Sequence, residues 1–321
     1  MKSVFGKNII FSLFGESHSE FIGLTINGLP SGIKINYDFI NSELKRRRPN
    51  GNNNTLRIEE DNYKFISGIF NDYTTGAPLT VIIPNDNYDS STFEEGVCRP
   101  GQSDYASYMS CDGFNDYRSG GHLSGRLTAP IVIGGAICKS ILAKFNIAIE
   151  SNVEYKLEDK EDETSGGIIL CKASGIKAGI GEPFFDSVES ILSHLFFSIP
   201  SVKAIEFGLG KDFAFQYGSN CIDEMSINDG KVNFKHNYNG GINGGLTNGN
   251  TIVCHITFKP IASINKTVNT INIKTKENIK YINKGKNDKN ILNRSLVITE
   301  SMMAIGLLDL LYSYNGRNSL K

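Results

Sequence analysis

Hydrophobic and polar positions along this chain follow two different periods. An apolar run begins at residue 9 and reads as a strand at 11–14; residues 23–26 read as a second, before the turn residues Asn27-Gly28-Leu29-Pro30. Over residues 36–48 the period becomes helical, with Phe39, Ile40 and Leu44 on one face and Pro49 as the stop. Residues 63–70 and 79–83 return to strand patterning around a turn at 72–76. Residues 128–145 predict a long helix, since Ile131, Val132, Gly135, Cys138, Leu142 and Phe145 fall on or near one stripe. Gly134 and Gly135 lower its helix propensity by about 1 kcal/mol each relative to alanine. A close helix crossing is the expected reason for them.

Strands follow at 148–155 and 167–171, then an amphipathic helix at 187–197 ahead of Pro200. Strands at 204–208 and 251–258 and a last helix at 296–311 complete the pattern. Alternation in groups predicts mixed sheets with helical layers. The charged run Glu158-Asp159-Lys160-Glu161-Asp162-Glu163 reads as a solvated loop. Residues 265–290, rich in lysine and asparagine, read as a mobile surface segment unless a ligand or neighbour orders them.

Composition narrows the class. The chain has 321 residues, about 40% hydrophobic and 21% charged, as in ordinary folded proteins. A net charge of −1 gives no overall attraction to nucleic acid or membranes. No stretch reads as the ~18 apolar residues of a membrane span, and the N-terminal residues predict no signal peptide. The six cysteines (98, 111, 138, 171, 221 and 254) are scattered, with no C-x-x-C and no histidine at ligand spacing. Reduced thiols in a cytoplasmic protein and no metal site are expected.

Chemistry concentrates in a few places. Gly15-Glu16-Ser17-His18 ends the first strand with a carboxylate, a hydroxyl and an imidazole in succession. A turn has no need of that histidine, which makes it a candidate for proton transfer; a polar strand end with a surface histidine is the plainer alternative. Lys45-Arg46-Arg47-Arg48 closes the first helix, and four cations exceed what a helix dipole asks for, so a small polyanionic ligand suits them. Arg99-Pro100-Gly101-Gln102 is a rigid turn. Residues 115–128, NDYRSGGHLSGRLT, form a glycine-rich, basic loop leading into the long helix, a ready anion site or an ordinary turn. Residues 237–249, NYNGGINGGLTNG, allow close backbone approach to a flat ligand, or form a floppy loop. Lys259-Pro260-Ile261-Ala262-Ser263 sets a lysine beside a hydroxyl.

Taken in order, these motifs resemble the chorismate synthase family over nearly the whole chain. The matching pieces are GESHSEFIGLTINGLPSG, KRRRP, SGIFNDYTTGAPLTVIIPN, RPGQSDY, NDYRSGGHLSGRLTAP, IPSVKAIEFG, YNGGINGGLTNG and KPIASI. The resemblance implies an α+β fold, a layered sandwich of mixed or antiparallel β-sheets and α-helices. Residues 1–321 would form one domain, assembled as a homotetramer. It also implies conversion of 5-enolpyruvylshikimate 3-phosphate to chorismate and phosphate. That reaction is an anti 1,4-elimination requiring reduced FMN without net redox change, in the shikimate pathway of aromatic amino acid biosynthesis.

The same resemblance assigns roles. His18 would protonate the departing phosphate, and Arg46, Arg47, Arg48, Arg126 and Arg294 would bind the substrate's carboxylates and phosphate. FMN contacts would come from His122, Leu123, Ser124, Pro200, Ser201, Gly244, Gly245, Lys259, Pro260, Ile261, Ala262, Ser263 and Lys286. Asp288 would sit near flavin N5 and help pass on the abstracted proton. Gln102 stands where the family has a histidine facing the flavin, and it cannot carry a proton. Lys286-Asn287-Asp288-Lys289 replaces Arg-His-Asp-Pro, losing a bidentate fork but keeping the charge. Ile199-Pro200-Ser201 replaces Ile-Asn-Ala, and His122 stands where many members have arginine. Two alternatives follow: a non-catalytic or weakly active homologue that keeps the fold and anion binding, and an NADPH-driven flavin reductase. The chain has no long insertion that might host a nicotinamide, so an external flavin reductant is expected.

Overall fold

The computed structural model describes residues 1–48, 60–86, 89–158, 160, 162–283 and 289–319. Two antiparallel sheets enclose a layer of helices. The first sheet has five strands in the order Val4–Phe5, Ile10–Gly15, Phe21–Asn27, Leu79–Pro84 and Lys64–Ser67. The second has four, in the order Val202–Phe207, Ile252–Phe258, Gly167–Ser174 and Ala148–Lys156. Every strand pair among the described residues is antiparallel, which narrows the expected mixed sheets to antiparallel ones. The helices are α1 (Tyr37–Arg47), α2 (Asp104–Ser110), α3 (Thr128–Ala143), α4 (Val188–Phe197) and α5 (Leu292–Asn318).

Period-two alternation puts Ile22, Leu24 and Ile26 of the first sheet on the inner side, and Ile252, Cys254 and Ile256 of the second. Between them lie α3, which packs on the first sheet, and α5, which packs on the second. The two helices meet at Gly135, where a Cβ would lie 2.2 Å from Ser301 Cβ. Its neighbour Gly134 serves the other face, since a Cβ there would lie 2.8 Å from Leu24 Cδ2. One glycine lets the helices cross; the other lets the sheet approach.

Helix α5 is longer than its pattern predicts and apolar enough in an 18-residue window to span a bilayer, yet 89% of that window is buried within the protein. Two carboxylates sit in that helix with satisfied partners. Asp309 Oδ1 accepts from the backbone N–H of Asn8 at 2.7 Å and of Ile9 at 2.9 Å. Glu300 accepts from Arg46 at 2.6 and 2.7 Å, from Ser151 Oγ at 2.8 Å, and also from Lys139.

Three local outcomes depart from the pattern. Residues 63–70 divide into Lys64–Ser67, in the first sheet, and Ile69–Phe70, which pairs with Tyr73–Thr74. In the lysine-rich segment, Val268–Asn272 and Glu277–Tyr281 form a hairpin, and Val97–Cys98 pairs with its first strand. The reason is polar: Thr270 Oγ1 donates to Cys98 O, and Asn272 Oδ1 accepts from Lys274 N at 3.0 Å. Met225–Asn228 and Lys231–Phe234 form another hairpin that the pattern did not suggest; its Asp229-Gly230 turn, with φ of 51° and 73°, was the legible signal.

Candidate active site

The Glu16–Ser19 turn that follows the second strand is closed by its own side chain. Ser19 Oγ donates to Glu16 O at 2.9 Å while Glu16 N donates to Ser19 Oγ at 3.0 Å. Within it His18 is buried, its Nδ1 2.9 Å from Ser90 Oγ and its ring edge-on to Phe93 at 5.4 Å. Ser17 N donates to Gly121 O at 3.1 Å, which ties the turn to the glycine-rich loop. Gly121 adopts φ 54° and ψ −126°, and a Cβ there would lie 2.4 Å from Asp116 O, so only glycine serves.

That loop runs into α3 and carries Arg126 into the interior. Arg126 Nε donates to Asn85 Oδ1 at 3.1 Å, Nη2 to Pro84 O at 3.3 Å, and Nη1 to Asp61. Asp61 also accepts from Arg47 Nη2 at 3.2 Å. Burial pushes the Asp61 carboxyl up, but Arg47 and Arg126 outweigh it and hold the group below its ordinary value.

Around these groups lies a cavity of about 300 Å³ lined by Arg47, Arg48, Arg126, Arg294, Asp61, Ser124 and Pro200, among others. Four guanidiniums against one carboxylate give it a positive lining that suits an anion. Arg46 is elsewhere: it bonds Glu43 at 2.8 Å and Glu300, and the Glu300 bonds raise its pKa above the ordinary arginine value. Its charge holds α1 to α5.

Next to it is a cavity of about 600 Å³, which shares Ser124, Thr128, Ile199 and Pro200 with the first. Gln102, His122, Leu123, Ser201 and Lys259 line it, together with Phe11, Leu13, Leu127, Ile131 and other apolar side chains. The loops that form it are cross-tied. Lys259 Nζ donates to Gly101 O at 2.6 Å, Lys259 N to Ser201 O at 2.9 Å, and Gln102 Nε2 to Ser263 Oγ at 3.0 Å. His122 bridges Gly15 O at 2.7 Å and Ser3 Oγ at 2.6 Å. Because a carbonyl can only accept, Nδ1 carries a proton there.

Not every candidate residue comes to these cavities. Pro260, Ile261, Ala262 and Ser263 are not among the lining residues, although Ser263 bonds Gln102, which is. Gly244 and Gly245 join the short strands Ile242–Asn243 and Leu246–Thr247, with Gly245 against Pro183 and Ser187. His18 is not among the lining residues of either cavity. Lys286 and Asp288 lie outside the described residues. Conversely, Asp61 and Asn85 bind Arg126 and were not singled out from sequence; a polar residue just before one strand-like segment and another just after a second were the only signal.

The sequence profile of the chorismate synthase family matches residues 9–159 and 154–312. A chorismate synthase of Pyrococcus abyssi is 36% identical over 341 aligned positions, covering 95% of this chain and 96% of that protein. One of Chitinophaga pinensis is 39% identical over 318 positions, covering 95% of each. A crystal structure of chorismate synthase superposes with a TM-score of 0.75 at 22% identity, covering 97% of this chain and 93% of that one; at that identity the likeness speaks for the fold. With the family profile spanning both sheets and the helices between them, this chain belongs to the chorismate synthase family.

Proposed function

We propose that this protein is a chorismate synthase, a lyase that removes phosphate from 5-enolpyruvylshikimate 3-phosphate by 1,4-elimination with reduced FMN bound. The observation that carries the reading is the pair of adjoining cavities. One is crowded with guanidiniums, the other combines an apolar wall with Lys2, Lys203 and Lys259, and Ser124 and Pro200 stand in the wall they share.

Arg47, Arg48, Arg126 and Arg294 would hold the substrate's carboxylates and phosphate, with Asp61 keeping Arg47 and Arg126 in place. His18 would supply the proton that makes phosphate a better leaving group. Its Nδ1 lies 2.9 Å from Ser90 Oγ, a contact that holds the orientation of the ring. The larger cavity fits a flavin: its apolar wall suits a flat ring system, and Lys259 contacts a carbonyl in it, so its charge is available to a phosphate. Reduced FMN would supply electron density to the allyl system as phosphate leaves. Residues Gln102, His122, Ser201 and Lys259 would hold and orient it.

A homotetramer is part of the proposal, and exposed Phe184, Phe185, Phe215 and Tyr217 are apolar surface that such an assembly would cover. Free thiols at all six cysteines suit a reducing, cytoplasmic setting. The test is anaerobic phosphate release from the substrate with dithionite-reduced FMN, expected to proceed, against oxidised FMN plus NADPH, expected to be silent. No release with reduced FMN would leave a homologue that kept the fold without the reaction. Aerobic turnover driven by NADPH alone would overturn the external supply of reduced flavin.

A further inference from the structure

Asn85, just past the strand Leu79–Pro84, is buried and uses both halves of its carboxamide. Nδ2 donates to Glu16 O at 3.1 Å and to Ser19 O at 2.8 Å, the carbonyls on either side of His18. Oδ1 accepts from Arg126 Nε at 3.1 Å. The amide orientation follows from these partners, because two carbonyls require a donor and a guanidinium N–H requires an acceptor. The backbone N–H of Asn85 adds a bond to Glu20 O at 3.1 Å.

We propose that Asn85 is a positioning residue for the elimination, coupling the His18 turn to the arginine cavity. One planar group fixes the proton-carrying turn at one end and an anion-binding guanidinium at the other. When an anion draws on Arg126, the pull reaches Glu16 and Ser19 through a single side chain. Aspartate could hold Arg126 but would face two carbonyls without a donor. Alanine would leave the Arg126 Nε–H and both carbonyls without these bonds.

The proposal rests on the roles given above to His18 and Arg126, so its test has two arms. In the first, single-turnover phosphate release with reduced FMN is measured for wild type, Asn85→Ala, His18→Ala and the double variant. Asn85→Ala should slow release about 10–100-fold, the scale of a small misplacement of a catalytic group. It should cost under about threefold more once His18 is already alanine, because the two act as a unit. Penalties that multiply would mark Asn85 as mere support for the fold and overturn the proposal.

The second arm needs no turnover and decides even if wild type releases no phosphate, an outcome that would sink the functional reading alone. Inorganic phosphate is added to histidine-labelled protein, and the His18 resonance, identified by its loss in His18→Ala, is followed by NMR. Phosphate should move that resonance in wild type. Both Asn85→Ala and Asn85→Asp should cut the movement by about threefold or more, the scale of lost coupling between neighbours, while calorimetry still detects phosphate binding to Asn85→Ala. Equal movement in wild type and either folded variant, or none in wild type, overturns the proposal.

Discussion

Asp61 and Arg47 face each other across 3.2 Å inside the protein, with side chains only 1% and 4% exposed. Arg126 bonds the second oxygen of the same carboxylate. The arginine-lined cavity is therefore built around a carboxylate, which holds two guanidiniums in place.

Asp61→Asn should lower unfolding stability at neutral pH by about 1–3 kcal/mol, since both arginines lose a charged partner. The native carboxyl is held below its ordinary value near 3.8, so its contribution is complete above that value. It fades as pH falls from there toward the native pKa. Urea denaturation from about pH 7 to 3 should show wild type and variant converging on the acid side. A gap that stays constant with pH would show that the charge of Asp61 is not what stabilises.

His18→Ala should cut turnover by about 10²–10⁴-fold, the scale of a general acid, with little change in FMN affinity. Stopped-flow phosphate release and a flavin titration measure the two. Near-normal turnover would remove His18 from the mechanism.

Lys259→Ala should weaken FMN binding by about tenfold, the loss expected for one charge-assisted contact. Fluorescence titration reads it directly. Because Lys259 Nζ also holds Gly101 O, the variant should become more susceptible to proteolysis at the 99–102 turn. Unchanged affinity would place the flavin phosphate elsewhere.

Gln102 is exposed at the cavity edge and donates to Ser263 Oγ, a contact an imidazole N–H could also make. Gln102→His should raise the rate with reduced FMN and add a titration near neutrality that glutamine cannot supply. Rate profiles for both forms from about pH 6 to 9 decide it. Superimposable profiles would mean that this position is not a proton partner of the flavin.

Gly135→Ala should destabilise the fold by about 1–3 kcal/mol, the cost of overpacking, in spite of alanine's better helix propensity. The added methyl would meet Ser301 Cβ and, at 2.6 Å, its Cα, which is backbone and cannot turn aside. Thermal unfolding would show it, and an unchanged midpoint would mean that α3 and α5 slide apart without loss.

Much of the fold was legible because each element carries its own local signal. The Asn36 cap, with Oδ1 accepting from Phe39 N at 3.0 Å, and the Ser187 cap, accepting from Ser190 N at 3.1 Å, begin α1 and α4 where the pattern placed them. Inner-facing strand residues follow from period two. The hairpin at 268–281 was not legible, because Thr270 and Asn272 stabilise it through bonds to distant or backbone groups rather than by apolar alternation. Helix α5 exceeded its pattern mostly at its C-terminal end, where residues 312–318 are half-buried or exposed and carry no apolar stripe to mark a helix in sequence.

The sequence by itself determined the family, the order of the elements and which side chains carry charge near Gly15, α1 and the 115–128 loop, all properties of residues close together along the chain. Only the tertiary structure decided how those charges are used. Arg46 and Arg47 are consecutive, yet one holds Glu300 and the other borders the arginine-lined cavity, because successive helical residues lie about 100° apart and meet different neighbours. Asp61 and Asn85 come from separate segments and converge on Arg126 because the packing of the first sheet against α3 brings them there. A hydrogen bond depends on a separation of about 3 Å in space, and distance along the chain does not encode that.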